Sequence, residues 1–270
     1  MRRRWGAEYD RNDYAGFVIP RKIRAAVNTV ADVANIGKLN ASENPQFKEA
    51  LEAARIIREA LPDRGVIQAI FSPLSVLPQL ADLPLYPSDT YSNTDLTVQQ
   101  VIFNQPDLAK QALANIADTL ADYARLLVTP ISEGGVGLSG IFYAVTGTVS
   151  EGYFDRAQYR EFSEPYDHIV IDAVRKANPD WFDDLGVDII HWNQYSHGNP
   201  KADADLDAVP VAGANYLEFA PDGSVEQVRA ELDETIRLRG DKPFLLAPSC
   251  TMLTPSSDEA LELLAQYRVA

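Results

Sequence analysis

Near the carboxyl terminus the chain runs Lys242-Pro243-Phe244-Leu245-Leu246-Ala247-Pro248-Ser249-Cys250-Thr251-Met252-Leu253-Thr254-Pro255. The apolar run from Phe244 to Ala247 suits one buried strand and is too short for a core helix. Pro248 has no N–H to give a ladder and ends it. Ser249 and Cys250 then stand just past the strand's carboxyl end, the edge of α/β sheets and barrels where ligands and catalytic side chains gather. Cys250 is the single cysteine. Taken alone it reads as a small buried hydrophobe.

Working outward, Gly240 closes a helix with a core stripe of Val225, Val228, Leu232 and Ile236. Ser224-Val225-Glu226-Gln227 opens it with the spacing of a capping box. Strands are expected at Ala208 to Gly213, with Pro210 an awkward member, and at Val187 to Trp192. One long helix is expected from about Asp155 to Lys176, turning Tyr159, Phe162, Tyr166, Ile169, Val170, Ala173 and Val174 inward. Glu133-Gly134-Gly135 breaks the chain before a strand at Gly140 to Thr146. Gln105-Pro106-Asp107 opens a helix whose inner face is Leu108, Leu113, Ile116, Leu120, Tyr123 and Leu127.

Leu83 to Asn93 is a loop, rich in Pro, Asp, Ser and Tyr. Val66 to Phe71 is a strand, from which Ser72-Pro73-Leu74-Ser75 turns into a short helix ending at Leu80. Asn44-Pro45 caps and starts an amphipathic helix carrying Phe47, Leu51, Ala54, Ile57 and Leu61. A last helix begins near Ser257 and carries Leu261, Leu264 and Tyr267. Residues 1–25 show no clean period and read as irregular, with Arg2, Arg3 and Arg4 a solvated basic run. Strand–helix alternation argues for parallel β/α units. No repeat or linker divides residues 26–270, which read as one domain.

Charge narrows the function classes. With 39 acidic and 24 basic residues the formal net charge is −15. A field of that sign repels phosphate backbones, so no nucleic-acid partner is expected. It also disfavours strongly anionic ligands unless basic groups gather in one cleft. One cysteine excludes an internal disulfide and suits a reducing compartment. The basic start Met1 to Trp5 is followed by Gly6-Ala7-Glu8-Tyr9-Asp10 rather than by a signal peptide's apolar core. The most apolar long stretch, Val136 to Val149, is too short for a membrane span. A soluble cytoplasmic protein without a membrane partner is the expectation.

Several segments resemble the uroporphyrinogen decarboxylase family, in its expected order. Ile67-Gln68-Ala69-Ile70-Phe71-Ser72-Pro73-Leu74-Ser75 resembles the family's third-strand segment. Gly140-Ile141-Phe142-Tyr143, then Tyr159-Arg160-Glu161-Phe162-Ser163-Glu164-Pro165-Tyr166-Asp167, resembles the fourth strand and the next helix. His191-Trp192, Pro210-Val211-Ala212-Gly213 and Leu245-Leu246-Ala247-Pro248-Ser249-Cys250 are similar to the later strands. The resemblance implies a TIM-type (β/α)8 barrel and a cofactor-free carboxy-lyase of porphyrin biosynthesis.

The chain also departs from that pattern. It has no counterpart of the family's opening strand and Arg-rich loop. The family's helix tyrosine falls near Gln79, its strand-four serine near Ala144 and its late histidine near Ser249. The strand relatives place around Lys176 to Trp181 is missing, so the barrel is expected to be shortened. Missing strands leave unpaired edges, for which the first 25 residues could supply one cryptic strand; otherwise the barrel is expected to stay open or to be completed by a second copy in a homodimer.

Pocket candidates at the strand ends are Ser72, Ser75, Tyr143, Thr146, His191, Asn193, Asn215, Ser249 and Cys250. They would line a site for a small-molecule substrate or ligand. No metal is expected. The alternative is a zinc- or corrinoid-linked methyltransferase type, with Cys250, His191 and His197 as zinc ligands. A second alternative is a non-catalytic relative that binds a small ligand at the same place. His168, mid-helix beside Asp167, reads as structural.

Overall fold

The computed structural model describes residues 5–10, 12–13, 22–84, 86, 94–145, 148, 153–177, 188–195, 199–252 and 255–267. The chain divides into two compact units, Met1–Trp181 and Phe182–Ala270, and each is taken by itself.

In the first unit, residues 1–25, expected to be irregular with at most one cryptic strand, contain an ordered pairing of two short strands. Strand β1 (Glu8–Tyr9) runs antiparallel to β2 (Lys22–Arg24). Elements of two and three residues are too short to show a period. Helix α1 (Pro45–Ala60) starts as its sequence demands: the Asn44 side chain accepts from the N–H groups of Gln46 and Phe47. Only Phe47 and Ala54 are buried, however, and Ile57 remains 50% exposed.

Strand β3 (Ile67–Phe71) leads into α2 (Pro73–Leu80), which Ser72 caps by accepting from the Ser75 N–H. Helix α3 (Pro106–Val128) forms the centre of this unit, with Leu113, Ile116, Leu120, Tyr123 and Leu127 all buried. Strand β4 (Gly140–Ala144) then lies parallel to β3, Ile67 opposite Gly140 and Phe71 opposite Ala144.

The long helix expected from Asp155 to Lys176 is two helices, α4 (Arg156–Phe162) and α5 (Glu164–Ala177). Ser163 leaves helical geometry at the break, with φ −121° and ψ −61°. Pro165 explains it. Proline has no N–H for the i−4 bond, and its ring would collide with the Glu161 carbonyl in a continuous helix.

Alternation assigns the faces of β3–β4. Ile70 and Tyr143 are partners in register, and Tyr143 reaches α5, so their face is the helix-covered one. Ile67 and Phe142, on the other face, stay 59% and 41% exposed.

In the second unit, β5 (Ile189–His191), β6 (Val209–Ala212) and β7 (Leu245–Leu246) form a parallel sheet with β6 central. Pro210 is tolerated there. The Val209 N–H donates to Asp188 O on the β5 side at 2.8 Å, so position 210 faces the β7 side. The β7 ladder begins only opposite Val211. Helices α6 (Val225–Arg239) and α7 (Asp258–Gln266) cover the face of Ala212 and Leu246, with a core of Ala214, Phe219, Val228, Leu232, Ala260 and Leu263. The expected capping box at Ser224 is half made. Ser224 accepts from the Gln227 N–H, but the Gln227 amide donates to Glu231.

At the end of β6 the chain comes so close to β7 that a Cβ on Gly213 would stand 2.2 Å from the Ala247 carbonyl oxygen. Gly213→Ala is therefore expected to destabilise the chain by about 2 kcal/mol or more. Denaturant unfolding with an unchanged midpoint would show that the two strands can part at that point.

Candidate functional site

The carboxyl ends of β5, β6 and β7 bring together most of the candidates in the second unit. His191, last residue of β5, shares a face with Ile189, Val209, Val211 and Leu245. This is the face that α6 and α7 leave uncovered, and Ile189 and Leu245 are exposed on it. The His191 Nε2 hydrogen-bonds to the Pro248 carbonyl oxygen at 3.0 Å, which places a proton on that nitrogen. Burial pushes the imidazole below its usual range, and the Pro248 carbonyl opposes the shift. At neutral pH the ring is uncharged.

Ser249 is buried, and its Oγ accepts from the Tyr216 N–H at 3.1 Å. Its own N–H extends the strand pairing to Ala214 O at 2.8 Å. Asn215 caps the short turn at Tyr216–Phe219 through the Leu217 N–H. The Asn193 Oδ1 accepts from the Tyr195 N–H at 3.0 Å. Cys250 is exposed, contrary to its reading as a buried hydrophobe. Burial raises the neighbouring Tyr216 phenol, and Cys250 adds to the shift.

Two residues overlooked in the sequence organise this end of the sheet. The Gln194 Nε2 donates to the Gly213 carbonyl at 2.8 Å, and its Oε1 accepts from the Ala202 N–H at 2.8 Å. The Tyr195 hydroxyl donates to the same Gly213 carbonyl at 3.0 Å. Burial, reinforced by Glu231, drives the Tyr195 phenol far above its ordinary range. Their signal was present in outline, as a polar triplet directly after a strand.

In the first unit, Ser72 and Ser75 are fully buried at the end of β3, with their Oγ atoms 2.7 Å apart. The Ser72 N–H continues the ladder to Ala144 O at 2.9 Å. Tyr143 points into the helix layer rather than toward the uncovered face. Its hydroxyl donates to Asp167 Oδ1 at 2.6 Å, while Ser163 Oγ donates to Oδ2 at 2.8 Å. Tyr159 stands near the same carboxylate and influences its ionisation. Burial raises Asp167, against the lowering effect of the three hydroxyls and of His168. Tyr159 is pushed up to about 12, by burial first and then by Asp167.

Ser163, at the break that Pro165 imposes, bonds Asp167 four residues on, and Tyr143 ties the same carboxylate to β4. Thr146 and His197 lie outside the described residues, as does most of the stretch around Lys176 to Trp181, where the sequence reading expects the family's strand to be absent.

Away from the strand ends, a cavity of about 440 Å³ is lined by Lys22, Arg24, Asn28, Asp82, Thr94 and Gln100, among others. Lys22 forms a buried ion pair with Asp82, which holds a left-handed φ of 60°. Cations and carboxylates are mixed here, so the cavity suits polar ligands without selecting a sign. Among the described residues, no three His, Cys, Asp or Glu side chains group as metal ligands. No described helix is long and apolar enough to cross a membrane.

The family described as Uroporphyrinogen decarboxylase (URO-D) matches residues 6–268. A protein of Trichodesmium erythraeum (strain IMS101) named Uroporphyrinogen decarboxylase is 23% identical over 274 residues, covering 95% of this chain and 71% of that protein.

The Asp167 network predicts both a cost and a sign. Tyr143→Phe removes a hydroxyl from a buried carboxylate and is expected to cost about 1.5–3 kcal/mol in unfolding free energy. Because the folded pKa of Asp167 is raised, its favourable contribution is complete below the ordinary aspartate range and lost as pH rises through the raised value. Stability measured from about pH 4 to about pH 7 should therefore shift in favour of Asp167→Asn relative to the parent chain. A difference independent of pH would contradict the raised pKa.

Proposed function

The chain belongs to the uroporphyrinogen decarboxylase family, and on that premise we propose that it is a cofactor-free carboxy-lyase acting on a porphyrinogen or a related small carboxylated substrate. The observation that carries the reading is the family match across residues 6–268. We take the parallel strands, each sheet covered by helices on one face, as parts of a shortened (β/α)8 barrel domain over residues 26–270. In such a barrel the substrate would lie at the strand carboxyl ends. A cytoplasmic protein, with a second copy pairing any open strand edges, completes the proposal.

Decarboxylation breaks the bond to the carboxylate carbon, releases carbon dioxide and leaves an electron pair on the remaining carbon for a proton to take. His191 is the side chain we place against the substrate. Its uncharged imidazole is suited to hydrogen bonding, not to clamping a carboxylate by charge. Gln194 and Tyr195 would hold the surrounding carbonyls in place.

One observation favours a second reading, the non-catalytic binding protein. Tyr143, Asn215 and Ser249 are each committed to hydrogen bonds that hold the fold. Zinc released on changing Cys250 to Ser would favour the methyltransferase type instead.

Anaerobic incubation with uroporphyrinogen decides between the first two. Coproporphyrinogen is the expected product, and His191→Ala should lower kcat/KM by about tenfold or more. A folded chain that binds the substrate saturably and releases no product would establish the binding protein.

A further inference from the structure

We propose that the second unit carries a small-oxyanion site at the amino-terminal edge of its sheet, built on Arg239 and Lys242. Arg239 is the last residue of α6 and is only 5% exposed. Its Nη1 donates to the Ala202 carbonyl and its Nη2 to the Pro243 carbonyl, each at 3.0 Å. Nε is buried without an acceptor. Both acceptors are neutral, and no carboxylate among the described residues pairs with this guanidinium. Carbonyl dipoles at the end of α6 offset part of the charge. They supply no counter-ion, and buried charges are ordinarily paired.

A cleft of about 160 Å³ adjoins this cation, lined by Arg239, Lys242, Pro243, Val209 and Pro210, with Asp205 and Asp207 also on its wall. Val209 begins β6 and Pro243 precedes β7. The cleft therefore sits at the opposite edge of the sheet from His191 and Ser249. Lys242 brings a second cation. Its nearest carboxylate, Asp205, stands 3.8 Å away and is fully exposed. A pair so long and so solvated has little net strength, so an incoming anion displaces Asp205 at small cost. Asp207 is likewise exposed and lies in water that screens it.

The geometry favours one ligand chemistry. N–H groups of a planar guanidinium match two oxygens of a carboxylate or phosphate, and an ammonium takes another as a point charge. The volume suits inorganic phosphate or a single small carboxylate. It lies below the roughly 300–1,000 Å³ typical of pockets for larger organic ligands. The site is thus separate from the one proposed for the substrate, and stands or falls independently of it.

The test titrates the full chain with inorganic phosphate and, separately, with acetate, each by calorimetry and thermal unfolding at constant ionic strength against sodium chloride. One saturable site is expected for at least one of the two anions. Phosphate alone would identify a tetrahedral ligand, and acetate alone a carboxylate. Lys242→Glu should weaken binding by about threefold or more while leaving the fold intact, because that side chain is 61% exposed. Arg239→Lys should weaken it further where the variant folds, and Lys242→Glu decides the matter where it does not. Saturation by neither anion, or unchanged affinity in Lys242→Glu, overturns the proposal.

Discussion

Parallel strand pairing is the constraint on which the rest of both units depends. A tight turn can return a strand only antiparallel to its neighbour, whereas a parallel neighbour requires a long crossover. The chain meets this with α2 and α3 between β3 and β4, and with α6 between β6 and β7. Each crossover covers one face of its sheet. Residues alternate between the covered face and the other, so Ile70 and Tyr143 go under helices while Ile67 and Phe142 do not. The same geometry brings the strand carboxyl ends to one edge of each sheet, which is why Ser72, His191 and Ser249 all appear there.

Polar groups drawn into these edges have to be satisfied, and that requirement divides the candidate residues into two kinds. Ser249, Asn215, Gln194 and Tyr195 are held by backbone groups of neighbouring strands and turns, and they stiffen the rim. His191 differs, because its ring lies on the uncovered face and its pKa is depressed toward the neutral form. Tyr143 belongs to neither group. It anchors β4 to α5 through Asp167, a carboxylate kept in the interior by hydroxyl donors in place of a cation. Arg239 is the counter-example in the second unit, a buried cation balanced, among the described residues, only by carbonyls.

Much of the local structure was legible because its determinants are adjacent in the chain. Asn44-Pro45 capped α1, Ser72 capped α2, and Phe244 to Ala247 contained β7. The long helix from Asp155 to Lys176 was not legible as two, since its apolar period continues through Ser163 and only Pro165 marks the break. The pairing of Glu8–Tyr9 with Lys22–Arg24 was hidden because so short a ladder has no pattern. Of the candidate site, residue types and strand-end positions were readable. The partners of those residues were not, because Tyr143 and Asp167, or His191 and Pro248, meet across the fold.

The sequence by itself determined the order of strands and helices, most of their caps and the family, since these follow from nearest neighbours and from motifs in series. Tertiary structure alone decided which face each strand residue occupies, which carboxylate is buried and which cysteine surface is exposed. Those outcomes depend on distances between segments far apart in the chain. Cys250 shows the difference most plainly: its residue type suggested burial, and the turn after β7 put it in water.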